Sequence, residues 1–488
     1  MPIRVFILHF VLLLTASCAL DRPYRTTIST PLPEPLDCLS AHTIAASASA
    51  NFESCNYIDE AQTAGQYSVG FVEFDDQGWL HDKQQPANLI EKIEQIKARD
   101  PDTQFLIVVY AHGWKHNARS GDPDVQNFHQ LLQRLDQQER AAERSTVPVG
   151  KNAANTIYKR REIVGVYIGW RGSELPIPFL ENVTFWSRKN AAERVGNGAV
   201  KQLLMQLNQL RARLNRWETS NRLAKWNETQ LLIIGHSFGG LVLYHALHSE
   251  IIEHGLVVDG KTGKYRVAKG IGDLVVLVNP AFEGSLYEPL WNAAVTRGCY
   301  PEKQRPIMAI VTSDADYATR YTFPLGRLYT YLTQSAPQAG ERKSVLNTVG
   351  HLQRYRTHRL EVFKDSPTHV DLGTIDSRTS TSHPDLAPFG KLRQQRRNLS
   401  KPSESVRIGD AVLTNLDNPP QIKRFPYLVI STTKDLIADH SDIWRKDFTT
   451  FMTEFVASAV VPDPQEGELD EAASADQSNT GLECRAFK

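Results

Sequence analysis

The segment 231-LLIIGHSFGGLVLYHAL-247 sets Ser237 between Gly235 and Gly239, two residues to either side. An apolar run enters this pentapeptide and another leaves it, with no polar linker. Glycine at both flanks suits a sharp strand-to-helix turn, where a Cβ would collide with neighbouring backbone. Such a turn holds one hydroxyl up at its tip. The chemistry on offer is nucleophilic attack, and a serine hydroxyl is weak until a base takes its proton and fixed donors receive the developing oxyanion. Ser237 therefore needs a base, a group to orient that base, and two donors from elsewhere in the chain.

The elements that must position these groups are legible as alternating strands and helices, the pattern of a mostly parallel sheet covered on both faces, an α/β protein. Strand 69-VGFVEF-74 runs through the turn Asp75-Asp76-Gln77-Gly78 into Trp79-Leu80, a hairpin signature. Strand 105-FLIVVY-110 leads into 111-AHGWKHNA-118 and a polar helix near 124–141. After strand 163-IVGVYIGW-170, a long helix carries Leu203, Leu207, Leu210 and Leu214 at helical spacing. The helix after Ser237 closes at Gly255, read as a C-cap. Strands 274-LVVLV-278 and 307-IMAIV-311 follow, then the last strand, 427-YLVIST-432, and a final helix showing Phe448, Phe451, Met452, Phe455 and Val456 on one face.

Between about 319 and 420 this rhythm breaks for longer than a plain connection allows, so the segment reads as an insertion. Its basic stretch 391-KLRQQRRNLSKPSESVR-407 reads as a solvated loop. Residues 18–65, with Pro31, Pro33 and Pro35, read as a tether, and 461–488 as an acidic tail. The α/β core thus spans 66–318 and is completed by 421–460.

Over those core residues, and not over the insertion, the chain resembles the α/β-hydrolase superfamily, in particular its lipase and esterase branches. Gly235-His236-Ser237-Phe238-Gly239 matches the turn that carries that family's nucleophile. The resemblance implies oxyanion donors at the backbone N–H of Phe238 and, through the family's His-Gly motif at 112-HGW-114, of Trp114, with Gly113 allowing close approach. It places the acid after strand 307–311, where Asp314 and Asp316 both stand; the family's three-residue step from a small strand-ending residue, here Ser313, points to Asp316. The base belongs between the last strand and the last helix, where the single histidine is His440. The order Ser237, Asp316, His440 is that of the family. A metal pair at His112 and His116 is the alternative for the HGW loop, but Gly113 and Lys115 between them argue against helical ligand geometry. The longer string HGWKHNA resembles a set of uncharacterised hydrolases.

Arg4 and the apolar run 5-VFILHFVLLLTAS-17 read as a secretory signal too short to span a bilayer comfortably, assigning 1–17 to a signal peptide. The end, 14-LTASC-18, resembles the lipobox of bacterial lipoproteins, although Thr15 departs from the usual Leu, Val or Ile. That resemblance implies acylation of Cys18 and, with Ala19 following, anchoring to the outer membrane facing the periplasm. Ordinary cleavage after Ala19 is the alternative. Setting Cys18 aside leaves four of five cysteines, which in an exported protein read as disulfide partners. Proximity in sequence selects Cys38 with Cys55 and Cys299 with Cys484.

Basic and acidic residues number 55 each, so no overall field selects nucleic acid or an anionic surface. The expected activity is hydrolysis of carboxylic esters or thioesters through an acyl-enzyme, without metal or organic cofactor. Acyl transfer to a cell-envelope acceptor, or a non-catalytic envelope scaffold, are the alternatives. The apolar loop 175-LPIPFLENVTFW-186 and the insertion, as a cap or lid, are the candidates for binding an apolar substrate.

Overall fold

The computed structural model describes residues 21–460 apart from 29–30, 47, 60–61, 146–158, 174–184, 217–227, 260, 262, 302–303, 333–340 and 364–403. The signal segment 1–17, Cys18, the tail 461–488 with Cys484, and most of 175–186 and 391–407 lie outside the described residues.

Eleven strands among the described residues form one sheet. In chain order they are β1 (Phe52–Ile58), β2 (Ala64–Phe74), β3 (Phe105–Ala111), β4 (Glu162–Trp170), β5 (Gln230–His236) and β6 (Leu274–Val278). Then come β7 (Met308–Ser313), β8 (His358–Val362), β9 (Ser405–Ile408), β10 (Ala411–Asn415) and β11 (Tyr427–Thr432). Their order across the sheet is β1-β2-β4-β3-β5-β6-β7-β11-β8-β10-β9. All pairings from β2 to β8 are parallel. The outer pairs, β1 with β2 and β10 with β8 and β9, are antiparallel.

The helices are α1 (Ala41–Ala46), α2 (Gln84–Arg99), α3 (Pro123–Ser145), α4 (Phe185–Asn197), α5 (Ala199–Arg216) and α6 (Phe238–Gly255). Beyond them lie α7 (Gly284–Arg297), α8 (Phe323–Leu332), α9 (Arg342–Leu346) and α10 (Lys446–Val460). Strands β3, β5, β6, β7 and β11 are buried along their whole length, which is why they read as unbroken apolar runs. Alternate residues serve different cores. Ile107 and Val109 pack with Leu89 of α2, Leu203 of α5 and Leu241 of α6. Leu106, Val108 and Tyr110 pack on the opposite face with Phe128 of α3 and Phe451 of α10. The period of two along each strand thus divides its side chains between two helix layers.

Two expectations are corrected at the sheet's edges. Within 18–65, read as a tether, β1 is an edge strand in register with β2 from Phe52↔Gly70 to Ile58↔Ala64. Its polar Glu53 is buried because it meets Arg25, itself fully buried, at 2.6 Å, with the guanidinium 3.6 Å above the Phe71 ring. Paired charges replaced the apolar pattern that would have betrayed the strand. At the other edge, β8, β9 and β10 arise inside the 319–420 insertion and extend the sheet past β11. Strand 427–432 is last in sequence but interior in the sheet. The described part of the insertion is therefore sheet, two short helices and packed turn. Gly255 also differs: it is the last helical residue, but no left-handed residue follows, since Leu256 has φ −104°. Among the described residues no helix is long and apolar enough to cross a membrane.

Candidate active site

β5 ends at His236 and α6 begins at Phe238, leaving Ser237 alone at the turn with φ 55° and ψ −119°. A non-glycine residue held there costs about 1–3 kcal/mol, which the surroundings must offset. They do so through buried backbone bonds: Ser237 N–H donates to Val278 O at 3.1 Å, and Ala281 N–H donates to Ser237 O at 3.1 Å. The flanking glycines are sterically required. A Cβ on Gly239 would lie 2.0 Å from Ala111 O, and one on Gly235 would lie 2.9 Å from Gly239 O.

His440, in the loop between β11 and α10, meets Ser237: the hydroxyl donates to its Nε2 at 2.7 Å. Its Nδ1–H donates to Asp316 Oδ2 at 2.8 Å. Asp316 is fully buried and also accepts from Thr319 Oγ1 at 2.5 Å and Thr319 N–H at 3.1 Å. Burial alone would raise this carboxyl, but the His440 charge and hydrogen bond, with the two Thr319 donors, outweigh it and hold the pKa below the usual value. Asp314, two residues away, points elsewhere. Its carboxylate pairs with Arg356 at 2.8 Å and Arg359 at 3.5 Å. Asp442 accepts from Ala438 N–H within its own loop.

Two residues that sequence reasoning did not single out aim the base. His236 Nε2–H and Asn279 Nδ2–H both donate to the His440 carbonyl, at 2.8 and 3.0 Å. Ser313 Oγ adds a bond to Ile437 O at 2.7 Å, tying the same loop to the end of β7. His236 is fully enclosed; burial, then the neighbouring His440 charge, push its pKa down to about 4. It is a neutral donor at pH 7. The signals available were the variable residue of Gly-His-Ser and the Asn of 278-VNP-280, both adjacent to strand ends.

The HGW loop sits against the turn. A Cβ on Gly113 would lie 2.9 Å from Ser237 Cβ and 3.0 Å from His236 Nδ1, so only glycine permits the approach. His112 anchors this loop, since its Nδ1–H donates to Gly113 O at 2.9 Å, while its Nε2 accepts from Trp170 N–H at 3.2 Å. Complete burial pushes its pKa down to about 4, which keeps the ring neutral, and the two bonds fix its tautomer. His116 instead donates from Nδ1 to Asp122 at 2.8 Å. The two histidines thus face separate partners. Phe238 is the first residue of α6, so its N–H has no carbonyl one turn earlier in the helix to bond.

Beside Ser237 stands an aromatic wall. Phe185 packs edge-on to Trp114 with centroids 5.3 Å apart, and lies 4.9 Å from the Phe238 ring. Phe323 of the insertion closes on Trp186 at 5.9 Å. A cavity of about 1420 Å³, lined by Trp79, Ile90 and Gln202 among others, does not include Ser237, Asp316 or His440.

The chain matches no known family model and no curated protein. Among solved structures it shows a likeness to a Trichoderma reesei cutinase in complex with a phosphonate inhibitor, at 14% identity and a TM-score of 0.15, covering 41% of this chain and 67% of that one. A second likeness is to an uncharacterised protein from Pseudomonas aeruginosa, at 10% identity and a TM-score of 0.18, covering 51% of this chain and 41% of that one. Likenesses at such scores carry no weight for mechanism. What stands is a mixed α/β protein with a large, mostly parallel sheet and a serine, a histidine and an aspartate in one hydrogen-bonded line.

Proposed function

We propose that this chain is a serine hydrolase on the α/β-hydrolase fold, cleaving carboxylic esters or thioesters. The observation that carries the reading is the unbroken line Ser237 Oγ–His440 Nε2, 2.7 Å, and His440 Nδ1–Asp316 Oδ2, 2.8 Å, at the tip of a strained turn. Ser237 Oγ attacks the acyl carbon as its proton passes to His440 Nε2. The carbonyl electron pair moves onto oxygen, and the N–H groups of Trp114 and Phe238 receive that charge. Asp316 holds the imidazole with its proton on Nδ1 and steadies the imidazolium. His440 then returns the proton to the departing alcohol or thiol, and water repeats the cycle to free the acid and Ser237.

The partly exposed rings of Trp114 and Phe185, backed by the buried Phe238, favour an apolar acyl group. We further propose export with a lipid anchor at Cys18, on the signal-like residues 1–18. A series of chromogenic esters and thioesters of rising acyl length tests the activity. Turnover that disappears in Ser237→Ala is expected; a wild-type protein that turns over none of the series overturns the reading.

A further inference from the structure

Asp316 is followed by a wide helical turn, Ala318–Thr322, in which Phe323 N–H reaches back five residues to Ala318 O. Wide turns of this kind are rare and frequently stand at functional positions. This one brings both donors of Thr319 onto Asp316, the N–H to Oδ1 and the hydroxyl to Oδ2. A second short turn of the insertion, Val349–His351, brings His351 Nε2 to 3.0 Å from Thr319 Oγ1. Thr348 Oγ1 bonds Thr319 O at 3.4 Å, and Val349 N–H bonds Phe282 O at 3.2 Å, so this turn is fixed to both the insertion and the core.

The directions of these bonds follow from donor counting. An ionised carboxylate only accepts, so the Thr319 hydroxyl proton must point at Asp316. Its oxygen is then left with lone pairs, and the nitrogen facing it, His351 Nε2, must carry a proton. The line therefore runs one way, from His351 through Thr319 to Asp316, where it meets the Nδ1–H of His440. Both Thr319 donors belong to one residue, so they fix the plane of the carboxylate. His351 in turn fixes the rotamer of the hydroxyl. Burial pushes the His351 pKa down to about 4; the Arg356 and Arg320 charges act with it, and Asp316 and Asp314 against it. At pH 7 the ring is neutral.

We infer that His351 and Thr319 are positioning residues that aim Asp316 at His440, so the insertion completes the site in addition to extending the sheet. The inference rests on the serine-hydrolase reading above. Its consequence is a defect in the reacting unit with substrate binding intact.

The test uses the rate of Ser237 modification by a fluorophosphonate, which needs no knowledge of the natural substrate, resolved into the saturating rate kinact and the half-saturation constant KI. Removal of one hydrogen bond to a charged group lowers a rate by roughly tenfold or more. His351→Leu is expected to lower kinact about tenfold, and Thr319→Val by about 10–100-fold, with KI unchanged in both. His351→Gln, whose amide supplies an N–H at similar reach, recovers most of the loss, and Thr319→Ser keeps the hydroxyl and the rate. Thermal unfolding of each variant separates misfolding from mispositioning. Wild-type labelling with an equal kinact in folded His351→Leu overturns this inference alone. So does a His351→Gln as slow as His351→Leu. A wild type that does not label at Ser237 removes the serine-hydrolase reading and this inference together.

Discussion

Replacing Asp316 by Asn changes almost no volume but reverses the logic of one bond. The wild-type carboxylate accepts from His440 Nδ1–H, Thr319 Oγ1–H and Thr319 N–H. An amide offers one acceptor and one donor end. With its oxygen kept toward Thr319 N–H, its NH₂ faces His440 Nδ1 and donates there, driving the imidazole proton to Nε2. That nitrogen then cannot accept from Ser237. The opposite orientation restores the tautomer but sets an NH₂ against Thr319 N–H, leaving two buried donors face to face, a cost of about 1–3 kcal/mol. The wrong tautomer is therefore favoured. A substitution of this type lowers kcat by about 10⁴, equivalent to about 5 kcal/mol of barrier. Asp314→Asn, by contrast, loses only partly exposed ion pairs with Arg356 and Arg359. Such pairs are each worth at most about 1 kcal/mol, so losing both lowers the rate by less than about 30-fold, far short of about 10⁴. Hydrolysis of one chromogenic ester by both variants, with KM and kcat separated, decides the matter. An Asp314→Asn protein slower than Asp316→Asn would assign the orienting acid to Asp314 instead.

Three further outcomes follow from the same structure. The Cys38–Cys55 disulfide closes a loop with a sequence separation of 17 that ties the segment around Leu36 to β1; Cys55→Ser should lose about 3 kcal/mol in urea unfolding, and an unchanged midpoint counts against a structural role. His236 has a depressed folded pKa of about 4 against an ordinary 6.5, so the unfolded chain binds its proton first and stability falls as pH drops from 6.5 to about 4. The stability gap between wild type and His236→Gln should shrink by up to about 1.4 kcal/mol per pH unit across that window, and a constant gap contradicts a buried neutral ring. For the anchor, Cys18→Ser should leave unprocessed precursor or release the protein from membranes; wild-type protein found wholly soluble with Leu20 as its first residue contradicts acylation.

The central strands were legible because they are buried on both faces: FLIVVY, LVVLV and YLVIST carry no polar residue inward on either side except Ser431 and Thr432. Ser237 was legible because its turn demands glycines, and His440 because it is the single histidine between the last strand and last helix. The edge strands were not, since β1 hides Glu53 against Arg25 and β8 presents His358, Arg359 and Glu361. Backbone pairing, invisible in composition, makes them strands. His236 and Asn279 also escaped notice. Their work is done on the carbonyl of His440, 204 and 161 residues away in sequence, through groups that no local pattern marks. Cys38 does join Cys55, and Cys299 also carries a disulfide, while its expected partner Cys484 lies outside the described residues.

The reactivity of one hydroxyl decides whether this line of side chains is catalytic. Folded protein treated with a fluorophosphonate, digested and mapped by mass spectrometry should carry a single adduct on Ser237. The adduct should vanish in Ser237→Ala and after denaturation in urea, and His440→Ala should slow its formation severely, because an unassisted serine hydroxyl is nearly inert. Full labelling of Ser237→Ala, or a native wild type with no adduct at Ser237, would contradict the account and leave the glycine-flanked serine as a turn.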